Sequence, residues 1–246
     1  MKALSVVQRG RAEVVDLREP EAQPGEVCIA ISHVGLCGTD LHVFDGAFGR
    51  FPMIPGHDAV GTVTAVGRPD NAGLLGRLVT IDPSACCLRA ARPTTLCPHC
   101  RRGATNLCER QSYMGISAPG ACAEFVVVPA ARAIPIPPGV DAMQATCLEP
   151  IAVALHLRER IVDTPGDVAV FGAGPIGLAI AKVLARDRRV SLVEPTPARR
   201  AFARAEGCER VFGLNELPLP LPPVLIDAAG HASVAEIIEK HILSGS

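Results

Sequence analysis

Three glycines with the spacing G-x-G-x-x-G, at positions 172, 174 and 177, place the strongest constraint on how this chain can fold. They lie between the apolar run 167–171, which predicts a short strand, and a helical run that continues to about Arg186. Gly172 allows a tight turn, Gly174 lets the backbone approach a pyrophosphate, and Gly177 lets the helix pack against the strand. The pattern predicts a dinucleotide-binding β-α-β unit, with the diphosphate at the helix N-terminus.

The acidic residue Glu194 closes the next predicted strand, seventeen positions after Gly177. Its carboxylate can accept hydrogen bonds from both hydroxyls of an adenosine ribose and would repel a 2′-phosphate, which favours NAD(H) over NADP(H). Arg199 and Arg200 keep NADP(H) open, because a guanidinium nearby can accommodate that phosphate. The predicted cofactor-binding residues are Gly172, Gly174, Pro175, Ile176, Gly177, Glu194 and Arg199.

The rest of the C-terminal part alternates strands with helices. Further strands are predicted at 190–193, 211–212 and 224–226, and an Arg/Ala-rich helix at 197–207. A closing helix carries one apolar face made of Val234, Ile237, Ile238 and Ile242. Strands and helices at this pitch describe a parallel sheet wound in β-α-β units, so we expect an α/β fold here.

The first half of the chain is predicted to be rich in β-strands. Residues 27–32 alternate between large apolar and smaller side chains with a period of two, which is typical of a half-buried strand. Gly and Pro separate the strand candidates at intervals that leave no room for helices between them. The other candidates are 3–7, 60–66, 78–81 and 124–128.

Composition and patterning exclude several classes of protein. The 246 residues carry a formal net charge of −1 and no basic run, which argues against a nucleic-acid partner. The most membrane-like window, 168–185, is broken by glycines, and the N-terminus has no apolar signal-peptide core, so no membrane partner is expected. We therefore expect a cytoplasmic protein with reduced cysteines. Four isolated cysteines are expected to be small buried hydrophobes: Cys28, Cys122, Cys147 and Cys208.

Two short motifs in the first half indicate metal chemistry. They are Cys37-Gly-Thr-Asp-Leu-His42 and Gly56-His57-Asp58-x-x-Gly61. A thiolate and an imidazole are ligands that an open, catalytic zinc site prefers. Together with the glycine fingerprint, these motifs resemble the zinc-dependent medium-chain dehydrogenase/reductase family. The resemblance covers nearly the whole chain and also includes Gly120–Glu124, Leu148-Glu149-Pro150 and a cysteine-rich segment.

The resemblance implies a set of ligands for a catalytic zinc. Cys37 and His57 match the family's ligand positions. Glu149 occupies the place where polyol and sugar dehydrogenases have a carboxylate, with Cys147 as a weaker alternative. Asp58 stands where the family usually has Glu and is one methylene shorter, so we expect it to support the ligands rather than bind the metal directly.

The resemblance also implies a reaction and a route for its proton. A hydride would pass from a secondary alcohol (a polyol, sugar, cyclitol or amino alcohol) to NAD. Thr39 would take the alcohol proton through its hydroxyl, and His42 would relay it through ribose hydroxyls to solvent. Asp40 would orient a metal ligand from behind.

In much of the family a second, structural zinc is held by four cysteines of one loop. The expected first position here is Thr94, which cannot serve, so residues 88–95 look like an insertion after an earlier ligand. The implied four-thiolate site consists of Cys87, Cys97, Cys100 and Cys108. Cys86 or His99 could substitute, and a lobe without metal is the alternative.

The resemblance implies a GroES-like catalytic domain at 1–150 and a partial NAD-binding Rossmann domain at 151–246. The run 224–227 corresponds to the fourth of six strands, so the chain is expected to be truncated. The family's usual homo-oligomer is then in doubt, because the sixth strand commonly forms the dimer seam. A second hypothesis is therefore a catalytically inactive zinc-binding relative with a structural or binding role.

Overall fold

The computed structural model describes residues 1–91, 95–216 and 219–244, with side chains described as far as Lys240. The chain divides into two compact units, Met1–Leu148 and Glu149–Ser246. Thr94, and with it part of the expected insertion 88–95, lies outside the described residues. Within the described ranges, no helix combines the length and apolar character needed to cross a membrane.

The first unit is built mainly from short strands. Its helices are α1 (Gly38–Phe44), α2 (Pro98–Arg101) and α3 (Ala142–Ala145). Its strands are β1 (Lys2–Gln8), β2 (Arg11–Asp16), β3 (Glu26–Gly35), β4 (Asp58–Val66), β5 (Leu78–Ile81), β6 (Ser84–Ala85), β7 (Ser112–Tyr113), β8 (Phe125–Pro129) and β9 (Ala133–Pro135).

A five-stranded antiparallel sheet in the order β8-β3-β4-β5-β9 carries the core of this unit. Val27 and Ile29 of β3 and Val63 of β4 are fully buried in one apolar cluster, as the period-two pattern predicts. At Gly61 of β4 a Cβ atom would lie 2.3 Å from the carbonyl oxygen of Ala30. Glycine is therefore required where β4 passes the Ala30 carbonyl of β3.

The expectation that no helix lies between the strands of the first half is wrong for α1 and for the four-residue helix α2. A capping box starts α1: Cys37 is the N-cap, and the carboxylate of Asp40 accepts a hydrogen bond from the Cys37 backbone N–H. Seven residues are too few to display a 3.6-residue apolar period, so the helix gives no periodic signal. Strand β2 was also not predicted, because none of its side chains is fully buried.

The second unit alternates helices and strands. Its strands all run parallel and lie in the order β12-β11-β10-β13, with β10 (Val168–Phe171), β11 (Val190–Val193), β12 (Val211–Phe212) and β13 (Val224–Asp227). Its helices are α4 (Leu148–Arg160), α5 (Pro175–Leu184), α6 (Pro197–Ala205) and α7 (Ala232–Ser244). Helix α4 was not predicted, because it buries only two residues, Pro150 and Ala154.

Both faces of the parallel sheet are covered. Val168 and Val170 of β10 pack in a cluster that includes Leu184 of α5. Phe171 of β10 faces the opposite side and packs with Val234 of α7. The predicted sheet wound in β-α-β units is therefore confirmed. Ile237 and Ile238 join the second cluster, as expected, whereas the side chain of Ile242 lies outside the described residues.

The four isolated cysteines differ in burial. Cys28 is buried, and Cys122 and Cys208 are half-buried. The prediction is wrong for Cys147, which is exposed. In that turn the inward positions are taken by Ala145 and Leu148, which pack in an apolar cluster, and Cys147 is left at the surface.

Candidate metal centres and cofactor cavity

Strand pairing brings the two metal-binding motifs together. Gly35, the last residue of β3, lies opposite Asp58, the first residue of β4. Cys37 follows β3 by two residues, and His57 immediately precedes β4, so both reach the same end of the sheet. The donor atoms of Cys37, His57 and Asp58 all lie within 4.8 Å of one another. The sequence predicts that Asp58 supports the ligands without binding the metal, whereas a carboxylate oxygen of Asp58 lies here among the donor atoms.

The carboxylate of Asp40 connects the segments that carry these ligands. Asp40 is 5% exposed; Oδ2 accepts the Cys37 N–H at 2.9 Å, and Oδ1 accepts the Gly56 N–H at 2.8 Å. The same Oδ1 lies 3.7 Å from Nδ1 of His57. One buried carboxylate therefore fixes the backbone at Cys37 and at Gly56, the residue before His57. Residues outside the ligand set commonly orient the ligands through such hydrogen bonds.

The electrostatics of the cluster favour a thiolate. A hydrogen bond to His57 is the largest influence and lowers the pKa of Cys37, although burial opposes it. The same hydrogen bond, helped by Asp58 and Asp40, raises the pKa of His57 to about 9. A bound cation would displace the imidazole proton, because metals bind deprotonated thiol and imidazole groups.

The residues present fit a zinc ion. Nδ1 of His57 is buried and has no hydrogen-bond partner among the described residues. A thiol, an imidazole and a carboxylate converge, which is a donor set that zinc accepts while leaving a coordination position open. Nδ1 faces the carboxylate of Asp40, 3.7 Å from its Oδ1, whereas Nε2 lies 3.9 Å from Oδ1 of Asp58 and is therefore the ring nitrogen on the side of the other donor atoms.

The predicted proton-transfer residues lie on α1. Oγ1 of Thr39 lies 3.7 Å from Sγ of Cys37, so this hydroxyl is next to the ligand cluster. His42 is three residues further along the same helix face and is exposed. Glu149 belongs to the second unit, where it lies in the first turn of α4 and is half-buried. Its role as a ligand stays a prediction.

The cysteine-rich segment assembles a second cluster. Four buried thiols, whose sulfur atoms all lie within 4.8 Å of one another, form it: Cys87, Cys97, Cys100 and Cys108. Backbone N–H groups point at the sulfurs, as at Sγ of Cys97, which accepts from the Cys100 N–H at 3.4 Å. That contact and one from Glu109 lower the pKa of Cys97 to about 6. A closed four-thiolate set of this kind fits a structural zinc.

The proposed substitutes lie beside this cluster rather than within it. Cys86 is buried and packs against the four cysteines. His99 is half-buried, and its Nδ1 lies 2.7 Å from the Arg102 guanidinium. Cys87, the first ligand that the sequence analysis favours, is the cysteine whose sulfur lies within the cluster, and its role as a ligand stays a prediction.

A cavity of about 510 Å³ lies at the carboxyl ends of β10, β11 and β13 in the second unit. Gly172 and Gly174 line it, together with Glu194 and Arg199. Gly172 has a φ of +103°, a backbone conformation that favours glycine. A Cβ atom added at Gly174 would meet no other atom within 4 Å, so a ligand can approach the backbone there. The carboxyl ends of parallel strands are where doubly wound sheets bind ligands.

Gly177 has a different role from the other two glycines. A Cβ atom there would lie 1.8 Å from the carbonyl oxygen of Gly172, so glycine allows α5 to pack against the turn. Pro175 and Ile176 form the first turn of α5 with it. These three residues are not among the described residues that line the cavity.

Glu194 is held tightly at the edge of the cavity. It is 2% exposed; Oε2 accepts the Ala173 N–H and Oε1 the Thr196 N–H, both at 2.9 Å. Burial would raise the pKa of Glu194, but these amides and the charge of Arg199 outweigh it and lower the pKa. Arg200 instead donates to the backbone carbonyl of Glu194 at 2.9 Å.

Sequence reasoning missed the residues that follow β13. His231 and Ser233 line the cavity, and Nδ1 of His231 lies 2.8 Å from Oγ of Ser233. The available signal was topological: β13 pairs with β10, so the segment after its carboxyl end faces the same cavity as the glycine turn.

Comparison with known proteins identifies relatives of both units. Residues 23–138 match the family model of the alcohol dehydrogenase GroES-like domain. The chain is 33% identical to D-altritol 5-dehydrogenase of Agrobacterium fabrum, over 100% of this chain and 74% of that protein. In seven of the curated relatives it matches, the chain spans between 44% and 74% of their length.

Two solved structures resemble the chain closely. An Escherichia coli alcohol dehydrogenase, RspB, in complex with NADH has a TM-score of 0.86 and 28% identity, covering 99% of this chain and 72% of that one. A zinc-binding dehydrogenase from Sinorhizobium meliloti bound to NADP has a TM-score of 0.81 and 28% identity, covering 95% and 71%.

Proposed function

Because this chain belongs to the zinc-dependent medium-chain dehydrogenase/reductase family, we propose that it oxidises a secondary alcohol with NAD as the hydride acceptor. The observation that carries the proposal is the convergence of Cys37, His57 and Asp58 within 4.8 Å. Several relatives are named as dehydrogenases, and one acts by name on an alditol, which supports a polyol or sugar as the substrate class.

The metal would be zinc, held by Cys37 and His57 with a carboxylate from Asp58 or Glu149. When bound, zinc supplies Lewis-acid polarisation of the substrate oxygen. Asp40 keeps the two main ligands in place through its hydrogen bonds to the Cys37 and Gly56 amides. The four buried cysteines of the second cluster would hold a structural zinc.

Proton transfer would begin at the hydroxyl of Thr39. This hydroxyl lies beside Cys37 and can accept the alcohol proton through hydrogen bonding. His42 is exposed one helical turn further on, and it would exchange the proton with solvent. Removal of the proton prepares the carbinol carbon to lose its hydride.

The cofactor would bind in the cavity of the second unit. The backbone at Gly174 and the N-terminus of α5 would hold the diphosphate. Two backbone amides hold the carboxylate of Glu194 in place. A 2′-phosphate would be repelled by this fixed negative charge, which supports NAD over NADP. Arg200 donates hydrogen bonds to the backbone carbonyls of Glu194 and Pro195. Arg199 lines the cavity and is the cation that would meet a 2′-phosphate if NADP bound instead.

We also propose that the enzyme works in the cytoplasm on a small-molecule substrate. Its ten cysteines are all free, and a reducing compartment keeps thiols in that state.

The test uses the purified chain. Zinc content is measured by mass spectrometry, NADH binding by fluorescence, and turnover by NAD reduction over a panel of polyols and amino alcohols. Cys37→Ser is expected to abolish turnover, whereas Cys208→Ser, a half-buried cysteine of the other unit, is expected to retain it. A chain that binds zinc but neither NADH nor any substrate would instead favour the inactive zinc-binding relative.

A further inference from the structure

His57 lies between two backbone segments that are held by different parts of the first unit. On its C-terminal side, Asp58 begins β4 and pairs with Gly35 of β3. On its N-terminal side, residues 54–56 belong to no helix or strand. A histidine ligand needs a fixed ring orientation, which groups outside the ligand set provide. The contacts of residues 54–56 therefore decide how precisely His57 can present its imidazole.

Three consecutive amides of one loop hold this segment. The carbonyl groups of residues 54–56 each accept a hydrogen bond from one backbone N–H of residues 120–122, at distances from 2.7 to 3.0 Å. The N–H of Gly56 also donates to Oδ1 of Asp40 at 2.8 Å. Gly56 is therefore held through both of its backbone polar groups, directly before the ligand.

The loop of residues 115–122 also packs against this segment at backbone distance. A Cβ atom at Gly120 would lie 2.2 Å from the carbonyl oxygen of Pro55, and one at Gly115 would lie 3.0 Å from both N and O of Gly56. Sγ of Cys122 lies 2.7 Å from the place that a Cβ atom on Gly56 would take. Contacts between backbone atoms leave no flexible side chain to absorb a shift, so a change in the loop must move the segment.

Strand β1 aligns the loop with the segment. Val6 exchanges two backbone hydrogen bonds with Met53, at 2.8 and 3.0 Å. Two residues earlier on β1, the Leu4 N–H donates to the Cys122 carbonyl oxygen at 2.8 Å. Because β1 pairs with β2 in a separate sheet, this alignment does not depend on the β3–β4 pairing that holds Asp58.

We propose that the loop of residues 115–122 is the positioning element of the His57 ligand and sets the metal affinity of the Cys37–His57 site. The proposal rests on the catalytic zinc of the proposed function and concerns residues outside its donor set. Gly120 is the most sensitive position, because a methyl group there displaces the Pro55 carbonyl, two residues before the ligand. The four-cysteine cluster has no ligand in this loop and serves as an internal reference.

The test compares two glycine variants that introduce similar backbone clashes. Gly120→Ala places a Cβ atom 2.2 Å from a carbonyl oxygen, and Gly67→Ala places one 1.9 Å from the carbonyl oxygen of Gln23. Neither glycine has a positive φ, and both belong to the first unit. Gly67 follows the far end of β4, so roughly 30 Å of extended strand separates it from His57. Both variants should lose stability, but only Gly120→Ala should disturb the metal site.

Metal affinity is measured by competition with a chromogenic chelator, while native mass spectrometry counts the bound zinc ions. Cys37→Ser identifies the ion of the Cys37–His57 site. Gly120→Ala is expected to weaken this site by about 10- to 100-fold, the range seen when groups that orient metal ligands are removed, and to leave the four-cysteine cluster unchanged. Gly67→Ala should change neither affinity. With cobalt at saturation, the ligand-field bands of the Cys37–His57 site should shift in Gly120→Ala and not in Gly67→Ala.

Unchanged affinity in Gly120→Ala, or an equal loss in both variants or at both sites, would overturn the proposal. If Gly120→Ala does not fold, Gly115→Ala replaces it, with Gly10→Ala as its control. These glycines have φ of +77° and +71°, but a Cβ atom at Gly10 meets no described atom within 4 Å, so only Gly115→Ala should weaken the site. A parent chain without an ion at the Cys37–His57 site contradicts the proposed function itself. A parent that binds zinc beside a variant of equal affinity contradicts this inference alone.

Discussion

Glu194 combines two tasks in one side chain. Its carboxylate accepts the backbone N–H of Ala173, inside the glycine turn, and that of Thr196, at the start of α6. These two contacts hold the glycine turn against the end of β11. The residue proposed to recognise a ribose would therefore also maintain the shape of the turn that would bind the diphosphate.

The pKa shift of Glu194 predicts a pH-dependent contribution to stability. The pKa is lowered from its ordinary value of 4.5, so the charged form stabilises the folded chain above that pH, and the contribution is lost as pH falls through the lowered value. Glu194→Gln should cost about 1–3 kcal/mol at neutral pH, because its NH₂ group would face one of the two amides. Urea unfolding between pH 3 and 7 measures the difference from the parent chain.

That difference should shrink steadily below pH 4.5, where the parent chain also loses its charge. Glu209→Gln, at an exposed position of the same unit, is the control and should have little effect at any pH. A constant difference between the parent chain and Glu194→Gln over the whole range would contradict the role of the charge.

At the scale of single elements, the three fingerprint glycines separate into distinct roles. Gly177→Ala would push a methyl group into the Gly172 carbonyl, and we expect it to destabilise the second unit by about 1–3 kcal/mol. Gly174→Ala has open space for its methyl group and should leave stability nearly unchanged while weakening NADH binding at least tenfold. Thermal unfolding and NADH fluorescence measure the two effects, and loss of stability in Gly174→Ala would contradict this division.

The elements also show what the sequence could predict. Strands 78–81, 190–193 and 211–212 were predicted to the residue, because apolar runs bounded by Gly or polar residues are local signals. Helix α1 was missed because its start depends on one side-chain hydrogen bond, from the Cys37 amide to Asp40. Helix α4 was missed because a helix that buries two residues has almost no apolar face.

The candidate sites follow the same rule. Cys37 and His57 could be predicted from the motifs that carry the family resemblance. The approach of Asp58 depends on the β3–β4 register, which places Gly35 opposite it. The buried charge of Arg132 has no sequence signal at all. Nothing in its neighbourhood along the chain distinguishes it from the exposed arginines. The pairing of β5 with β9 places it next to Asp82, whose carbonyl oxygen accepts a hydrogen bond from Nε of Arg132.

For the whole molecule, the division into two compact units determines how ligands should stabilise it. The proposed zinc sites lie in Met1–Leu148, apart from the Glu149 ligand, and the cofactor cavity lies in Glu149–Ser246. A ligand that binds only the folded form stabilises the unit that holds it, by about 2.7 kcal/mol at 100 times its dissociation constant. We therefore expect zinc to stabilise the first unit and NADH to stabilise the second.

Hydrogen exchange followed by mass spectrometry can test this segment by segment. Saturating NADH should slow exchange in β10, β11 and α5 and leave the β3–β4 core unchanged, because the ligand raises only the cost of opening the second unit. Chelation of zinc should speed exchange around α1 and α2 and leave β10 unchanged. Gly174→Ala serves as the control for NADH and should show weaker protection than the parent chain at the same concentration. If NADH or chelation changed the exchange rates of both units equally, the two units would open as one cooperative body. The assignment of each ligand to a separate unit would then be wrong as a description of the stability of the chain.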